Sequence, residues 1–227
     1  MSETAARFDK FLEIMDTLLG ENGCPWDRAQ THESLRPYLL EECYETAEAI
    51  DSGDMPALCE ELGDMLMEVI FHAKLAEKTQ SFTTADVIDG IAEKLVRRHS
   101  HIFGADKAAD AGEVEAFWEA NKDAEKQYAS LAERLRAVPK AMPALMRAQK
   151  VIKRAKAEGD ISRVIPRVRA LLDELENRAE ACGSPAKEAY HSIFSEILFH
   201  LVKISIILEI NAEFSLTNRV EAFINSN

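Results

Sequence analysis

Two pairs of carboxylates at helical spacing, Glu42-x-x-Glu45 and Glu61-x-x-Asp64, interrupt the apolar stripes of two successive segments. In the first, Leu35, Leu39, Cys43, Ala47 and Ile50 recur at intervals of three and four, and Glu42 follows Leu39 by three. In the second, Leu58, Leu62, Met65, Leu66, Val69 and Ala73 mark the stripe, and Glu61 follows Leu58 by three. Residues three apart are neighbours on a helix surface, so each pair can aim two carboxylates at one point. Acids on an apolar face are costly unless a cation holds them. The pattern therefore asks for two helices packed side by side with their acids converging. Four oxygen ligands from two helices describe a hard-cation site, with Mg²⁺ the expected ion and Mn²⁺ a second candidate.

An isolated E-x-x-E in a chain with 40 acidic residues is ordinarily a solvated face. Two such pairs on successive helices, both leaning toward apolar stripes, are poorly explained that way. Without a cation, four close carboxylates repel or take up protons. A di-iron centre uses similar ligands, but it needs two Glu-x-x-His motifs on paired helices, and only Glu188-x-x-His191 occurs. No Gly-rich phosphate loop, H-E-x-x-H or G-x-S-x-G is present.

Helical periodicity runs through the whole chain with no alternating strand, which predicts an all-α fold. Helices are expected over 5–19, from Thr31 or Ser34 to about Ile50, from about Pro56 to Lys78, and from Thr83 or Thr84 to Arg98. Residues 21–30, with Cys24-Pro-Trp-Asp27, read as a loop, as do residues 99–112. Residues 113–137 read as one charged helix, followed by a joint at Pro139 and Pro143. Further helices are expected near 144–158, 163–181, 185–210 and 216–224. This divides the chain into a first helical domain over 1–105, a charged connector over 106–142, and a second helical domain over 143–227.

The second domain reads as a worn copy of the first. An offset of 132 residues pairs Glu42 with Glu174, Leu39 with Leu171, Leu40 with Leu172, Asp64 with Glu196 and Phe82 with Phe214. The same offset pairs Glu45 with Asn177 and Glu61 with Ile193, so the copy lacks two of the four acids. It is not expected to hold the same metal centre.

The net charge of -13 argues against a nucleic-acid or anionic-membrane partner. It leaves room for a small anionic ligand, because a bound metal and a few cations can reverse the field locally. Cys24, Cys43, Cys59 and Cys182 form no C-x-x-C pair, which fits a reduced, cytoplasmic protein without structural zinc. The first ten residues carry acids and no apolar core of a signal peptide. The apolar stretch 197–210 is broken by His200, Lys203 and Glu209, and is short for a bilayer span.

The complement to the acids is Lys94-Leu-Val-Arg97-Arg98, a cationic helix end in an acidic chain. Such an end also suits the helix dipole. Beside a magnesium-type centre, it suits phosphate oxygens, with forked bonds from Arg and a point charge from Lys. His99 and His101 lack a third nitrogen or sulfur ligand nearby, and His32, His72 and His200 read as packing or surface residues. Trp26 is either a stacking platform for a nucleobase or an aromatic plug over the bundle end. Trp118 falls on the charged helix.

Taken together, Asn22-Gly-Cys-Pro-Trp-Asp27, Gln30-Thr-His32, Tyr38-Leu-Leu-Glu-Glu-Cys-Tyr-Glu45, Glu60-Glu-Leu-Gly-Asp64 and Lys94-Leu-Val-Arg-Arg-His-Ser-His-Ile-Phe103 closely resemble the MazG nucleoside triphosphate pyrophosphohydrolases. The likeness covers residues 8–103 most strongly and continues through Trp118 and residues 143–150. The resemblance implies tandem MazG-like all-α bundles that dimerise into a homodimer. It also implies Mg²⁺ dependence and cleavage of nucleoside triphosphates to monophosphate and pyrophosphate. It assigns Glu42, Glu45, Glu61 and Asp64 as metal ligands and Glu41 as an accessory acid. It gives the phosphate chain to Lys94, Arg97 and Arg98.

Two departures from the family pattern stand out. Ser100 replaces the usual proline of the Arg-Arg-His-Pro-His segment, and the second acidic motif has decayed, with Ala222, Asn225 and Ser226 where basic residues are usual. The rival expectation is therefore a protein that kept the fold as a nucleotide-binding or scaffold module and lost turnover.

Overall fold

The computed structural model describes residues 2–104, 107, 110–180 and 187–227. The described residues contain twelve helices and no strand. They are α1 (Glu3–Leu19), α2 (Pro25–Arg28), α3 (His32–Ser52), α4 (Met55–Lys78), α5 (Thr84–Arg98), α6 (Ser100–Phe103), α7 (Ala111–Lys126), α8 (Leu131–Arg136), α9 (Ala144–Ala155), α10 (Ile161–Glu180), α11 (Lys187–Ile207) and α12 (Ala212–Ile224). The all-α expectation holds, and local chemistry explains where the helices start and stop. Thr31 caps α3 through a reciprocal capping box with Ser34. Gly53, at φ 70°, closes α3 in the left-handed region that glycine reaches without penalty. Asp54 and a first-turn proline start α4, and a Thr83–Asp86 capping box starts α5.

Three segments differ from the sequence reading. The Cys-Pro-Trp-Asp loop contains the short helix α2, and residues 100–103 form another turn of helix. The single charged helix expected over 113–137 is two helices, parted where Gln127 takes a positive φ of 46°. Helix α11 contains an 18-residue stretch, Tyr190–Ile207, that by length and hydropathy could cross a membrane, longer than the 197–210 segment suggested. Its Ile193 and Ile197 are buried with Leu171 of α10, while Phe194, Leu198 and Leu201 are exposed.

The chain divides into two compact units, residues 1–122 and 123–227, with the division inside the stretch read as a connector. In the first unit, α3 and α4 pack as an extensive antiparallel hairpin, and α1 lies against the C-terminal half of α4. Met15, Leu19, Leu35, Ile70, Phe71 and Leu75 form its core. Lys74 ties α1 to α4 through Asp16 at 2.7 Å, and also binds Glu77 at 3.1 Å. The core face of α4 is thus the one carrying Ile70, Phe71, Ala73, Leu75 and Ala76. The stripe expected to be buried is open to solvent in the single chain, with Leu62 54%, Leu66 42% and Val69 40% exposed. Leu40 and Tyr44 of α3 are exposed as well. Gly63, which suggested a close backbone approach, has open space where a Cβ would stand. Cys24, Cys43 and Cys59 are free thiols, while Cys182 lies outside the described residues.

In the second unit α10 and α11 form the corresponding hairpin. The repeat extends to exposure. Phe194, Leu198 and Leu201 hold the positions of Leu62, Leu66 and Val69, and all are exposed.

Candidate metal centre

The spacing of the acids is a local property of two helices; their meeting is a property of the hairpin. Glu42 and Glu45 lie in α3, Glu61 and Asp64 in α4. Ligand oxygens of Glu42, Glu45 and Glu61 all fall within 4.8 Å of one another. Glu42 and Glu61 are half-buried and Glu45 is exposed, so the site is a shallow bowl on the hairpin, away from the apolar core. Asp64, also half-buried, stands outside this tightest trio but within its field, since its charge acts on both Glu42 and Glu61. Glu41 is exposed and is not one of the converging acids.

The electrostatics of the cluster suits a cation. Burial pushes the Glu42 carboxyl above the ordinary carboxylate range, and Asp64, Glu45, Glu61 and Glu68 push it further. Glu61 is raised by desolvation and then by Glu45, Asp64 and Glu60. Like charges forced together disfavour ionisation, and a divalent cation reverses that balance. Hard oxygen donors from three carboxylates, with room for water, suit Mg²⁺ or Mn²⁺ better than soft-ligand metals.

One acid of this neighbourhood carries no signal in the motif. Glu68 is only 3% exposed, and its Oε2 has no hydrogen-bond partner. It continues the line of Glu61 and Asp64 along α4 by one turn. Burial raises its carboxyl above the ordinary range. The i+4 spacing from Asp64 was visible in the sequence; its burial was not.

The cationic segment is placed in three ways. Lys94 is half-buried, Arg97 is exposed, and Arg98 is 7% exposed with its guanidinium 4.9 Å from the centre of the Trp118 ring. Lys122 approaches the same ring at 5.6 Å. A flat indole flanked by two cations is thus present where the sequence offered only a charged helix. Trp26 is 53% exposed and meets Tyr38 edge-on, with ring centres 5.9 Å apart.

The second unit shows what replaces the centre. Glu174, in the place of Glu42, is paired with Arg178 of its own helix at 2.6 Å. The side-chain amide of Asn177, in the place of Glu45, donates to the carbonyl of Asp173. Ile193, in the place of Glu61, is buried in the hydrophobic cluster with Leu171 and Ile197. An amide and an aliphatic group stand at two of the four acid positions, and Arg178 neutralises the acid at a third.

These features can be set beside known proteins. Residues 30–103 match the family model of the MazG nucleotide pyrophosphohydrolase domain. The chain is 36% identical over 228 residues to the nucleoside triphosphate pyrophosphohydrolase/pyrophosphatase MazG of Thermotoga maritima, covering 99% of this chain and 85% of that one. It is 37% identical over 223 residues to the nucleoside triphosphate pyrophosphohydrolase of Escherichia coli (strain K12), covering 96% of this chain and 84% of that one. It is also 50% identical over 146 residues to the uncharacterised protein YabN of Bacillus subtilis, covering 64% of this chain but only 30% of that much longer relative. The converging acids lie inside the matched region, and the likeness to the full-length relatives runs through both units: this chain belongs to the MazG family of nucleotide pyrophosphohydrolases.

Proposed function

We propose that this protein is a Mg²⁺-dependent pyrophosphohydrolase that cuts nucleoside triphosphates between the α and β phosphates, releasing nucleoside monophosphate and pyrophosphate, and so cleanses nucleotide pools. The observation that carries this reading is the meeting of Glu42, Glu45 and Glu61 within 4.8 Å, from two helices, in a chain of this family. Glu42, Glu45, Glu61 and Asp64 would hold the ion, with Mn²⁺ as a substitute and Glu41 as an accessory acid. When bound, the ion supplies positive charge for phosphate oxygens and lowers the pKa of a coordinated water.

The chain's own groups do the rest. Glu42 and Glu61, disposed to protonation without a cation, become fixed acceptors once it neutralises their repulsion. Lys94, Arg97 and Arg98 would receive the phosphate chain. Helix α5 starts bound to the end of α4, where Thr84 gives two hydrogen bonds to Glu77, and α5 packs on α4. Thirteen residues back along α4 from Glu77 lies Asp64, and thirteen residues along α5 from Thr84 lies Arg97, each a rise of about 20 Å. That brings the cations toward the level of the acids. Trp26 is the exposed aromatic face available to a base.

The exposed seam of Leu40, Tyr44, Leu62, Leu66 and Val69 flanks the acids on the same hairpin. A patch of this kind calls for a cover, and a second copy of the hairpin, closing a four-helix bundle as a homodimer, supplies one. The free thiols of the described residues suit a cytoplasmic setting.

The test is release of pyrophosphate from a panel of nucleoside triphosphates with and without Mg²⁺. Metal-dependent release by the native protein, lost in Glu42→Gln, supports the assignment. Equal rates in the two proteins refute the ligand assignment, and nucleotide binding without release at any Mg²⁺ or Mn²⁺ concentration refutes the enzyme.

A further inference from the structure

Charge is unevenly divided along this chain. Residues 131–170 carry eleven Lys or Arg against three Asp or Glu, a net charge of +8 in a chain of -13, which leaves -21 for the remainder. The whole stretch lies within the second unit. Asymmetry of this kind marks a surface for a polyanion, and the total charge conceals it.

The fold gathers these cations. On α9, Arg147, Lys150, Lys153 and Arg154 follow one another at intervals of three, three and one, on the side away from the buried Ile152. At 3.6 residues per turn the four share about 120° of the helix circumference. The opposite side of α9 packs on α11 and α12. The other polar side chain of α9, Gln149, is taken up by fastening: its amide donates to Ser205 Oγ at 3.1 Å and to the Ile210 carbonyl at 2.8 Å, and accepts from the Ala212 N–H at 3.3 Å. Helices α8 and α9 meet at their C-terminal ends, where Arg134 donates to the Arg154 carbonyl and Arg154 to the Arg134 carbonyl, each at 3.0 Å. Arg136 and Lys156, each two residues beyond that tie, add two cations at the same corner. Arg136, Lys150, Lys153 and Lys156 are exposed, and among the described residues none of them is in an ion pair. Of the three acids in the stretch, Glu133 and Asp160 accept backbone N–H groups, from Ala129 and Ser162, both at 2.7 Å.

The chemistry of this face selects its partner. A protein partner is held by an interface core from which charged residues, Lys among them, are depleted. A bilayer surface is gripped by an apolar helix face, and an unpaired nucleic-acid strand by stacked aromatic rings. Here the apolar side of α9 is covered by its own unit, and residues 131–170 contain no aromatic residue. Protein–nucleic-acid interfaces, in contrast, are polar and strongly positive. We propose that the α8–α9 corner binds the phosphate backbone of a nucleic-acid duplex without reading its sequence. Arginine forks and lysine ammonium groups pair with phosphate oxygens and release condensed counterions, so the affinity is electrostatic and falls with salt. The acids elsewhere oppose it weakly, because charges beyond about 10 Å are largely screened at about 0.1 M salt. They also turn the molecule so that this corner meets the polyanion first. The corner belongs to the unit that lost the acid cluster, and its binding does not depend on the pyrophosphohydrolase reading.

The test is fluorescence anisotropy of labelled, mixed-sequence DNA and RNA duplexes titrated with the native protein across a salt series. Four phosphate contacts give a log–log salt slope of about -3.6, so affinity should fall about 150-fold between about 50 mM and about 200 mM salt. Lys150→Gln combined with Lys153→Gln, both at exposed positions, should reduce the size of that slope by about 2 and weaken binding at low salt. Lys10→Gln combined with Lys78→Gln removes the same charge from exposed positions of the first unit and should leave slope and affinity unchanged. These responses on either duplex support the proposal, and the tighter of the two names the source of the backbone. No binding to either duplex at about 50 mM salt marks a solvated face and overturns it. Equal losses in the two double variants overturn it as well, since total charge would then be the cause. Tighter binding of single-stranded oligothymidylate than of duplex, or of polyglutamate than of duplex, overturns it in favour of a stacking site or an acidic protein partner.

Discussion

Glu68→Gln offers the sharpest test of the physical picture, because it needs no substrate and no metal. In the native protein a carboxyl group sits 3% exposed with one oxygen unbonded and its titration pushed upward by burial. A group whose folded pKa is raised contributes its full share of stability below its unfolded value, and loses that share as pH rises through the folded value. Near pH 4 the carboxyl is mostly protonated in both states, so the neutral amide should change stability little. As pH rises from the unfolded value, the unfolded chain ionises Glu68 before the folded chain does, so the native protein weakens while the variant does not. Leaving a buried group unsatisfied costs about 1–3 kcal/mol and more when it is charged, and only the charged form adds a penalty that the amide escapes. A difference of about 2 kcal/mol at pH 7.5 corresponds to roughly 8 °C in Tm for a unit of this size. The assay is thermal unfolding of metal-free protein, followed by helical circular dichroism at pH 4 and pH 7.5. The variant should melt higher at pH 7.5 and alongside the native protein at pH 4. A difference independent of pH, or a variant that melts lower at pH 7.5, would refute the reasoning.

Lys74 is disfavoured by burial but held above its usual range by Asp16 and Glu77, so its contribution should persist at neutral pH and fade only as pH rises through that raised value. Lys74→Met should lower stability by about 1 kcal/mol in denaturant unfolding at pH 7, a modest figure because Asp16 is largely solvated; no loss would show that the bridge does not fasten α1. Gly63→Ala adds a methyl to open space in a helix interior and should raise stability in denaturant unfolding by about 0.5–1 kcal/mol; a decrease would reveal a close neighbour absent from the single chain. Leu66→Glu charges the exposed seam and should yield monomer in sedimentation with helix content preserved; an unchanged mass would remove the homodimer. Thr83→Ala deletes one half of the α5 capping box and should cost about 1 kcal/mol in thermal unfolding; an unchanged midpoint would show that Glu77, which also binds the first turn, suffices alone.

The helices were largely legible because their causes are local. The Thr31 and Thr83 caps, the first-turn proline of α4 and the glycine after α3 all act within a turn of the residue that bears them. The failures share one cause, which is that periodicity finds an apolar face without naming its cover. Leu62, Leu66 and Val69 fit the stripe as well as Ile70 and Phe71 do, yet only the latter two meet α1. The break at Gln127 had no glycine or proline to announce it. That Arg98, at the end of α5, stands against Trp118, twenty residues on, was not legible in any spacing.

From its sequence alone, this chain specifies helices, their ends, an acid pair on each of two successive helices, and a second half that has lost half of that set. Those are consequences of side chains three and four residues apart, where the backbone itself sets the geometry. Only tertiary structure decides that Glu42, Glu45 and Glu61 close to within 4.8 Å while Asp64 stands back, that Glu68 is sealed without a partner, and that His32 and His72 share a bond across 40 residues of chain. Such contacts depend on how two helices are turned and offset against each other, which is settled by the packing of the whole hairpin on α1 rather than by any spacing along the sequence.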